Sequence, residues 1–289
     1  MLYIVNEHNV VATAESGGDF PRISNAELQT SLRQQYSLIA TRKQTHHRRS
    51  MAPSISKREN IRWLPEKPSE PTTTIVVTSP ENRFVDIRML NAVPDVAPGV
   101  QSFTALDWAF AGTSSSTIIP PRSTDESPTM HSTWTHWIDS RYTNVENVTD
   151  EGDMFPLTDN RTLEKGSMLN PDTGKVTEYE EVWNDEKVES QREDGKVDVV
   201  VLVLDGYEGK ATGMVVRVGQ WCQGVMRVGD NHVVVERWGW EAKMGWRREV
   251  RLGDMWMPTG VAMEAKDLVM GGKVVLGDYE WRVVELSAA

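Results

Sequence analysis

Cysteine is nearly absent from this chain. The single residue, Cys222, excludes a disulfide framework and any metal site that needs two thiolates. Long apolar runs are missing too. None approaches the roughly 18 residues that a spanning helix needs, and no secretory apolar segment opens the chain. Membrane insertion is therefore not expected, a cytosolic or nuclear address is the default, and the Asn-X-Ser/Thr matches at Asn147 and Asn160 read as chance. Positive charge is scarce: 31 Lys and Arg stand against 42 Asp and Glu, a net charge of −11. Phosphates repel so acidic a chain, which argues against nucleic acid as a partner. Hydrophobic residues, at 39%, are few for 289 packed residues, so part of the chain is expected to be loop or tail.

Signatures of chemistry are equally sparse. None of the six histidines forms a pair at metal-ligand spacing in a helical context, so no metal site is assigned. Gly206, Gly209 and Gly213 do not fit a nucleotide fingerprint. Carboxylate pairs such as Asp86/Asp107 or Asp153/Asp254 are simpler as fold devices than as acid and base. Cys222 and His232 lie across an expected hairpin, but a buried structural thiol is the commoner role. The reading assigns no catalytic residue and no cofactor, and it favours a protein that is not an enzyme.

What the chain does have is a β pattern. Residues 1–52 stand apart as a polar stretch with the basic cluster His46, His47, Arg48 and Arg49, and are expected to be a disordered extension. The acid-free segment 31–49 has some transit-peptide character, but Glu7, Glu15, Asp19 and Glu27 argue against import. From Ile61 onward, short β-branched and aromatic runs alternate with turn residues, at 72–78, 84–90 and 132–139. Residues 111–130, rich in Ser, Thr and Pro, are expected to form a long loop, and 185–195 an acidic linker. The run 197–205 reads as a buried strand. Gly229-Asp230-Asn231 and Gly271-Gly272 read as hairpin turns. About eight strands are expected after residue 197, enough for a small closed barrel.

The chain also repeats itself. Gly152-Asp153-Met154-Phe155 recurs as Gly253-Asp254-Met255-Trp256. His131 and His232, Trp137 and Trp238, and Tyr179-Glu180 and Tyr279-Glu280 recur at nearly the same offset. Trp108 with its small followers resembles Trp221. The expected fold class is all-β: two tandem antiparallel barrels related by internal duplication, at 53–184 and 197–289, joined by a linker at 185–196.

These residues carry a resemblance. Leu106-Asp107-Trp108 with Phe110-Ala111-Gly112, the segments 134–137, 152–156, 163–166 and 179–183, and later 213–224 and Glu236-Arg237-Trp238, resemble the fungal Hri proteins. That resemblance spans most of 52–287. It implies two calycin-like (lipocalin-like) barrels, no established enzymatic activity, a casein kinase as protein partner, and a cytoplasmic and nuclear address.

Eleven tryptophans, six of them between Trp221 and Trp281, offer aromatic material for a core or a pocket. Arg88 and Arg217 look like equivalent inward positions. An inward Arg under a tryptophan suits an acidic or aromatic ligand, unless it is already paired with an acid such as Asp86 or Glu236. The candidate ligand-binding residues are therefore Arg88, Trp108, Trp137, Arg217, Trp221 and Trp238, with a pocket expected in the second, more aromatic half. The functional expectation is a non-catalytic interaction protein. The alternatives are a binder of a small apolar or acidic ligand, or a cofactor-free isomerase or cyclase built on such a cavity.

Overall fold

The computed structural model describes residues 4–6, 9–11, 51–93, 102–121, 129–206 and 211–288. The chain divides into two compact units, Met1–Arg49 and Ser50–Ala289. In the first, β1 (Ile4–Asn6) and β2 (Asn9–Val11) pair antiparallel, with Ile4 opposite Val11. The expected disorder of the extension and the His46–Arg49 cluster lie outside the described residues.

The second unit begins with a closed eight-stranded antiparallel barrel. Its strands are β3 (Ser54–Trp63), β4 (Thr72–Thr78), β5 (Arg83–Leu90), β6 (Leu106–Ile119), β7 (Thr129–Asp139), β8 (Glu151–Pro156), β9 (Arg161–Leu169) and β10 (Val176–Glu186). Each pairs with the next, and β10 closes the ring on β3. Closure removes every free strand edge, which suits so polar a set of strands.

The stretch expected as a loop at 111–130 is largely strand. Thr113 to Ile119 continues β6 and pairs with β7 as far as Ile119 opposite Thr129. Ser and Thr suppress the hydrophobic signal there but satisfy a ladder well: Ser114 and Ser116 line the barrel's interior, while Thr113, Ser115 and Thr117 are exposed. Arg122–Pro128 of that expected loop lies outside the described residues.

The remaining strands form a seven-stranded sheet: β11 (Asp198–Asp205), β12 (Ala211–Val218), β13 (Trp221–Val228), β14 (His232–Glu241), β15 (Gly245–Leu252), β16 (Lys273–Leu276) and β17 (Tyr279–Ala288). The order β15-β14-β13-β12-β11-β17-β16 follows the barrel's up-and-down route, but β15 and β16 do not pair, so the sheet is open. The expectation of eight closing strands is corrected. Between β15 and β16 the chain forms the short helix α1 (Thr259–Glu264) instead. The hairpin turn at 229–231 is where it was expected, joining β13 to β14. The turn expected at Gly271-Gly272 forms, with Gly272 N–H donating to the Val269 carbonyl at 2.8 Å, but it joins no pair of strands: the hairpin there is β16–β17, with Leu276 opposite Tyr279. Gly271 and Gly272 instead bond to the backbone of Val283.

The seven-stranded sheet is buried on both faces, which explains the unbroken apolar run in β11. One face packs on the outside of the barrel wall: Val199, Val201, Val216 and Val225 meet Ile75, Val77, Val85 and Ile87. The other face has its own core, in which Val200, Leu202, Cys222 and Trp281 surround Met257 and Ala262 of the α1 segment.

Candidate functional site

The barrel reverses the usual sense of its strands. In β5 the apolar Val85 and Ile87 point outward into the core shared with the second sheet, while Phe84, Asp86 and Arg88 point into the barrel. The outer wall is a true core, and the inside holds the aromatic cluster Phe84, Trp108 and Phe110 together with a set of buried polar groups.

Those groups are held by one another. Arg58 donates to Glu181 at 2.5 Å, to Thr72 at 2.8 Å, and to both oxygens of Glu70 at 3.0 and 3.1 Å. Arg88 donates from Nε and Nη2 to Asp86 Oδ2 at 3.0 and 2.9 Å, and from Nη1 to Glu181 at 3.5 Å. Burial opposes the charge on Arg88, but Asp86 and Glu181 outweigh it and hold the guanidinium charged. Burial pushes the Asp86 carboxyl above the usual range against the pull of Arg88. Asp86 Oδ1 is buried without a hydrogen-bond partner.

Glu164 sits across the barrel. It accepts from the Tyr179 hydroxyl at 2.7 Å and from Trp183 Nε1 at 2.8 Å. Burial, with Glu181 and Asp150 nearby, pushes its carboxyl up to about 8. Glycine makes the room: a Cβ on Gly166 would stand 2.4 Å from the Tyr179 hydroxyl, and one on Gly152 would stand 2.8 Å from Glu164 Cγ. Gly152, which opens the repeated Gly-Asp-Met motif, is therefore there for side-chain space. Its counterpart Gly253 lies in a turn with φ of 89°. At the end of the barrel away from the mouth, His136 bonds to Asp139 at 2.7 Å and Asp150 at 2.9 Å and stacks on Phe110 at 4.2 Å. Burial lowers the pKa of His136, but the two carboxylates outweigh it and raise it on balance.

Above this network the barrel keeps a cavity of about 240 Å³. Asp86, Arg88, Asp150, Glu164 and Glu181 line it, with Phe84, Phe110, Trp134, Tyr179 and Trp183 as walls, and Met51, Ser54 and Ser116 lie nearer solvent.

The sequence-derived candidates do not converge. Arg88 lines the cavity, and Trp108 lies beside it, 5.2 Å from the guanidinium and bonded through Nε1 to Asp139 at 2.9 Å. Trp137 packs outside the barrel against the shared core, and Trp221 packs in that same core with its Nε1 on Glu186 at 3.0 Å. Arg217 and Trp238 are on the far face of the second sheet. Arg217 pairs with Asp198 at 2.8 Å and donates to the carbonyl of Met263, while Trp238 bonds Glu236 at 2.9 Å. The pocket expected in the second half is corrected: there the facing space is filled by Met257, Ala262 and Trp281. Asp86, Glu164 and Glu181 were missed as a group because they come from three strands far apart in sequence. Only the spacing of Asp86 and Arg88, two apart and so on one face, was a local signal.

Cys222 is no nucleophile. Burial pushes its thiol up to about 12. Cys222 is opposite Trp238 and His232 is opposite Val228, so the two are about 20 Å apart along the strands. Among the described residues, no cluster of His, Cys, Asp and Glu is arranged to hold a metal, and no helix is long and apolar enough to cross a membrane.

A family model described as Protein HRI1 matches residues 54–285, which takes in the barrel and nearly all of the second sheet. The chain belongs to the HRI1 family. A crystal structure of an uncharacterized protein from Saccharomyces cerevisiae is similar to this HRI1-family chain, with a TM-score of 0.63 and 17% identity over 82% of this chain and 100% of that one. At that identity the likeness shows the fold alone. No match is found among curated proteins.

Proposed function

We propose that this HRI1-family protein binds a small molecule inside its N-terminal barrel. One observation carries the reading: a closed barrel keeps a cavity of about 240 Å³ over a floor of ion-paired, hydrogen-bonded side chains instead of filling it with apolar ones. A floor so constrained by its own bonds is a preorganised surface, the usual character of a ligand site. A barrel with only a structural task has no need of it. The polar groups of this floor, the Tyr179 hydroxyl and Glu164 among them, are bonded to one another, which suits a binding surface. The order β17-β11-β12-β13-β14-β15 repeats the barrel's β10-β3-β4-β5-β6-β7, which supports an origin of both halves by duplication, with the cavity retained in the first. The experiment is native mass spectrometry of the full chain from its natural host. An added mass that is lost on denaturation, and is absent when Ser132→Phe fills the cavity, supports the reading; a bare chain in both refutes it.

A second reading rests on the open sheet. Its edge strands β15 and β16 are unpaired on one side, and Val275 on β16 and Trp256 beyond β15 are 69% and 63% exposed. Such edges favour a protein partner, for which the resemblance implies a casein kinase. Co-purification of that kinase with the chain, lost in Val275→Lys, is the corresponding test.

A further inference from the structure

Asp86 is 2% exposed, yet one of its carboxylate oxygens has no donor. An unpaired buried acceptor costs about 1–3 kcal/mol, more when charged, and its natural remedy is a donor arriving from the cavity it lines. Arg88 is largely committed already: three of its five N–H groups go to Asp86 and Glu181, which answer its charge. It serves to hold Asp86, not to receive an anion.

The charge around the cavity points the same way. The lining holds Asp86, Asp150, Glu181 and Asp185, and a Glu164 that burial keeps protonated near neutral pH, against Arg88 alone. Arg58 adds a cation behind the lining but brings Glu70 with it, and His136 stands there between Asp139 and Asp150. A carboxylate entering this space would meet a majority of carboxyl groups and one guanidinium whose charge Asp86 and Glu181 already answer. A cation would meet an unfilled acceptor within aromatic walls that include Phe84 and Trp134, rings of the kind that attract positive charge through their quadrupoles. It would also favour the ionised form of Asp86 that burial opposes.

We infer that the barrel accepts a small organic cation, an amine or amidine on a short aromatic or apolar body, with its N–H groups on Asp86 Oδ1 and its body against Trp134. This rests on the cavity being a binding site, as proposed above, and adds the chemical class. The volume is below the roughly 300 Å³ at which pockets for drug-sized ligands begin, so the ligand is small.

The test uses three probes of one shape and different charge: 2-phenylethylamine, 2-phenylethanol and phenylacetate. Each is titrated into the full chain, with binding read at the indole N–H resonances of Trp134 and Trp183. The amine is expected to shift both signals and to bind at least about tenfold more tightly than the other two. Asp86→Asn is expected to weaken the amine about tenfold and leave the alcohol unchanged. If Asp86→Asn does not fold, Trp134→Leu at the mouth replaces it, with the amine losing more affinity than the alcohol. Equal binding of all three, or preference for phenylacetate, overturns the inference and leaves the binding reading in place. No response to any probe at about 10 mM, with a bare chain in native mass spectrometry, overturns both.

Discussion

Arg88 gives Asp86 two hydrogen bonds, and both end on the same oxygen, at 3.0 and 2.9 Å. The pair is buried, so its members depend on each other. Arg88→Met strips Asp86 and Glu181 of a counter-charge and is expected to cost about 3–5 kcal/mol in urea unfolding. The double variant Arg88→Met with Asp86→Leu is expected to cost less than the single one, because no buried charge is left unpaired. A double variant worse than the single would contradict the pairing.

Stability is expected to fall as pH rises through neutrality. Glu164 keeps its proton in the fold to about 8, whereas the unfolded chain releases it near 4.5. Between those values the folded state binds more protons, so unfolding free energy declines with pH. His136 acts in the same direction. Its stabilisation is complete below 6.5 and is lost as pH rises through its raised folded value. Asp139 is opposite in sign: burial works against its charge, but bonds from His136 and Trp108 hold its pKa down, so its contribution is lost in acid. Denaturant melts are expected to show a loss on the order of 2 kcal/mol from about pH 5 to pH 9, and Glu164→Gln is expected to flatten it. A loss of unchanged size in that variant would show that Glu164 is ionised in the fold.

Two glycines are expected to respond in opposite ways to alanine. Gly166→Ala drives a methyl into the Tyr179 hydroxyl and is expected to cost about 1–3 kcal/mol. Gly260, exposed in α1 with nothing near its missing Cβ, is expected to gain up to about 1 kcal/mol from the same change. Thermal unfolding of the two variants decides both.

The barrel and the open sheet are expected to unfold together. Gln223 donates from Nε2 to the carbonyls of Ile75 and Val85 in the barrel wall, at 3.0 and 2.9 Å. It also accepts from Arg237 at 2.7 Å, and Arg237 in turn bonds the carbonyl of Ile87. Gln223→Leu leaves those buried groups short of partners and is expected to cost about 2 kcal/mol or more. Coincident melting of near-ultraviolet and far-ultraviolet signals in the parent chain checks the shared core.

Cys222 is expected to resist alkylation in the native chain and to react fully once the chain is unfolded, as read by intact mass. Rapid native labelling at about pH 8 would contradict its burial.

Much of the fold was legible in the sequence, and the reason for the exceptions is physical. Strands such as β4, β5 and β11 announce themselves by β-branched runs, and the turn after β13 by Gly229-Asp230-Asn231. Alternation, however, says only that Val85 and Ile87 share one face while Asp86 and Arg88 share the other. It does not say which face is inside. Convention puts the apolar face in the barrel, and here it faces the second sheet. The Ser/Thr part of β6 shows no apolar alternation, because its inward Ser114 and Ser116 line the polar cavity and its outward Thr113, Ser115 and Thr117 face solvent. Closure was not legible either, since whether β15 and β16 meet depends on the segment holding α1. Among the proposed site residues, Arg88 was chosen as the counterpart of Arg217 beneath a tryptophan, and of that pair only Arg88 lines the cavity. Trp221 and Trp238 were chosen for aromatic density, which here marks packing and not a cavity.

The central claim is that the barrel cavity is a binding site organised around Asp86. The most direct measurement is a high-resolution crystal structure of the chain purified from its natural host without denaturation. The account predicts density for a non-protein group between Asp86 Oδ1 and Trp134. A barrel holding only ordered water there, with water supplying the missing bond to Asp86, would contradict it.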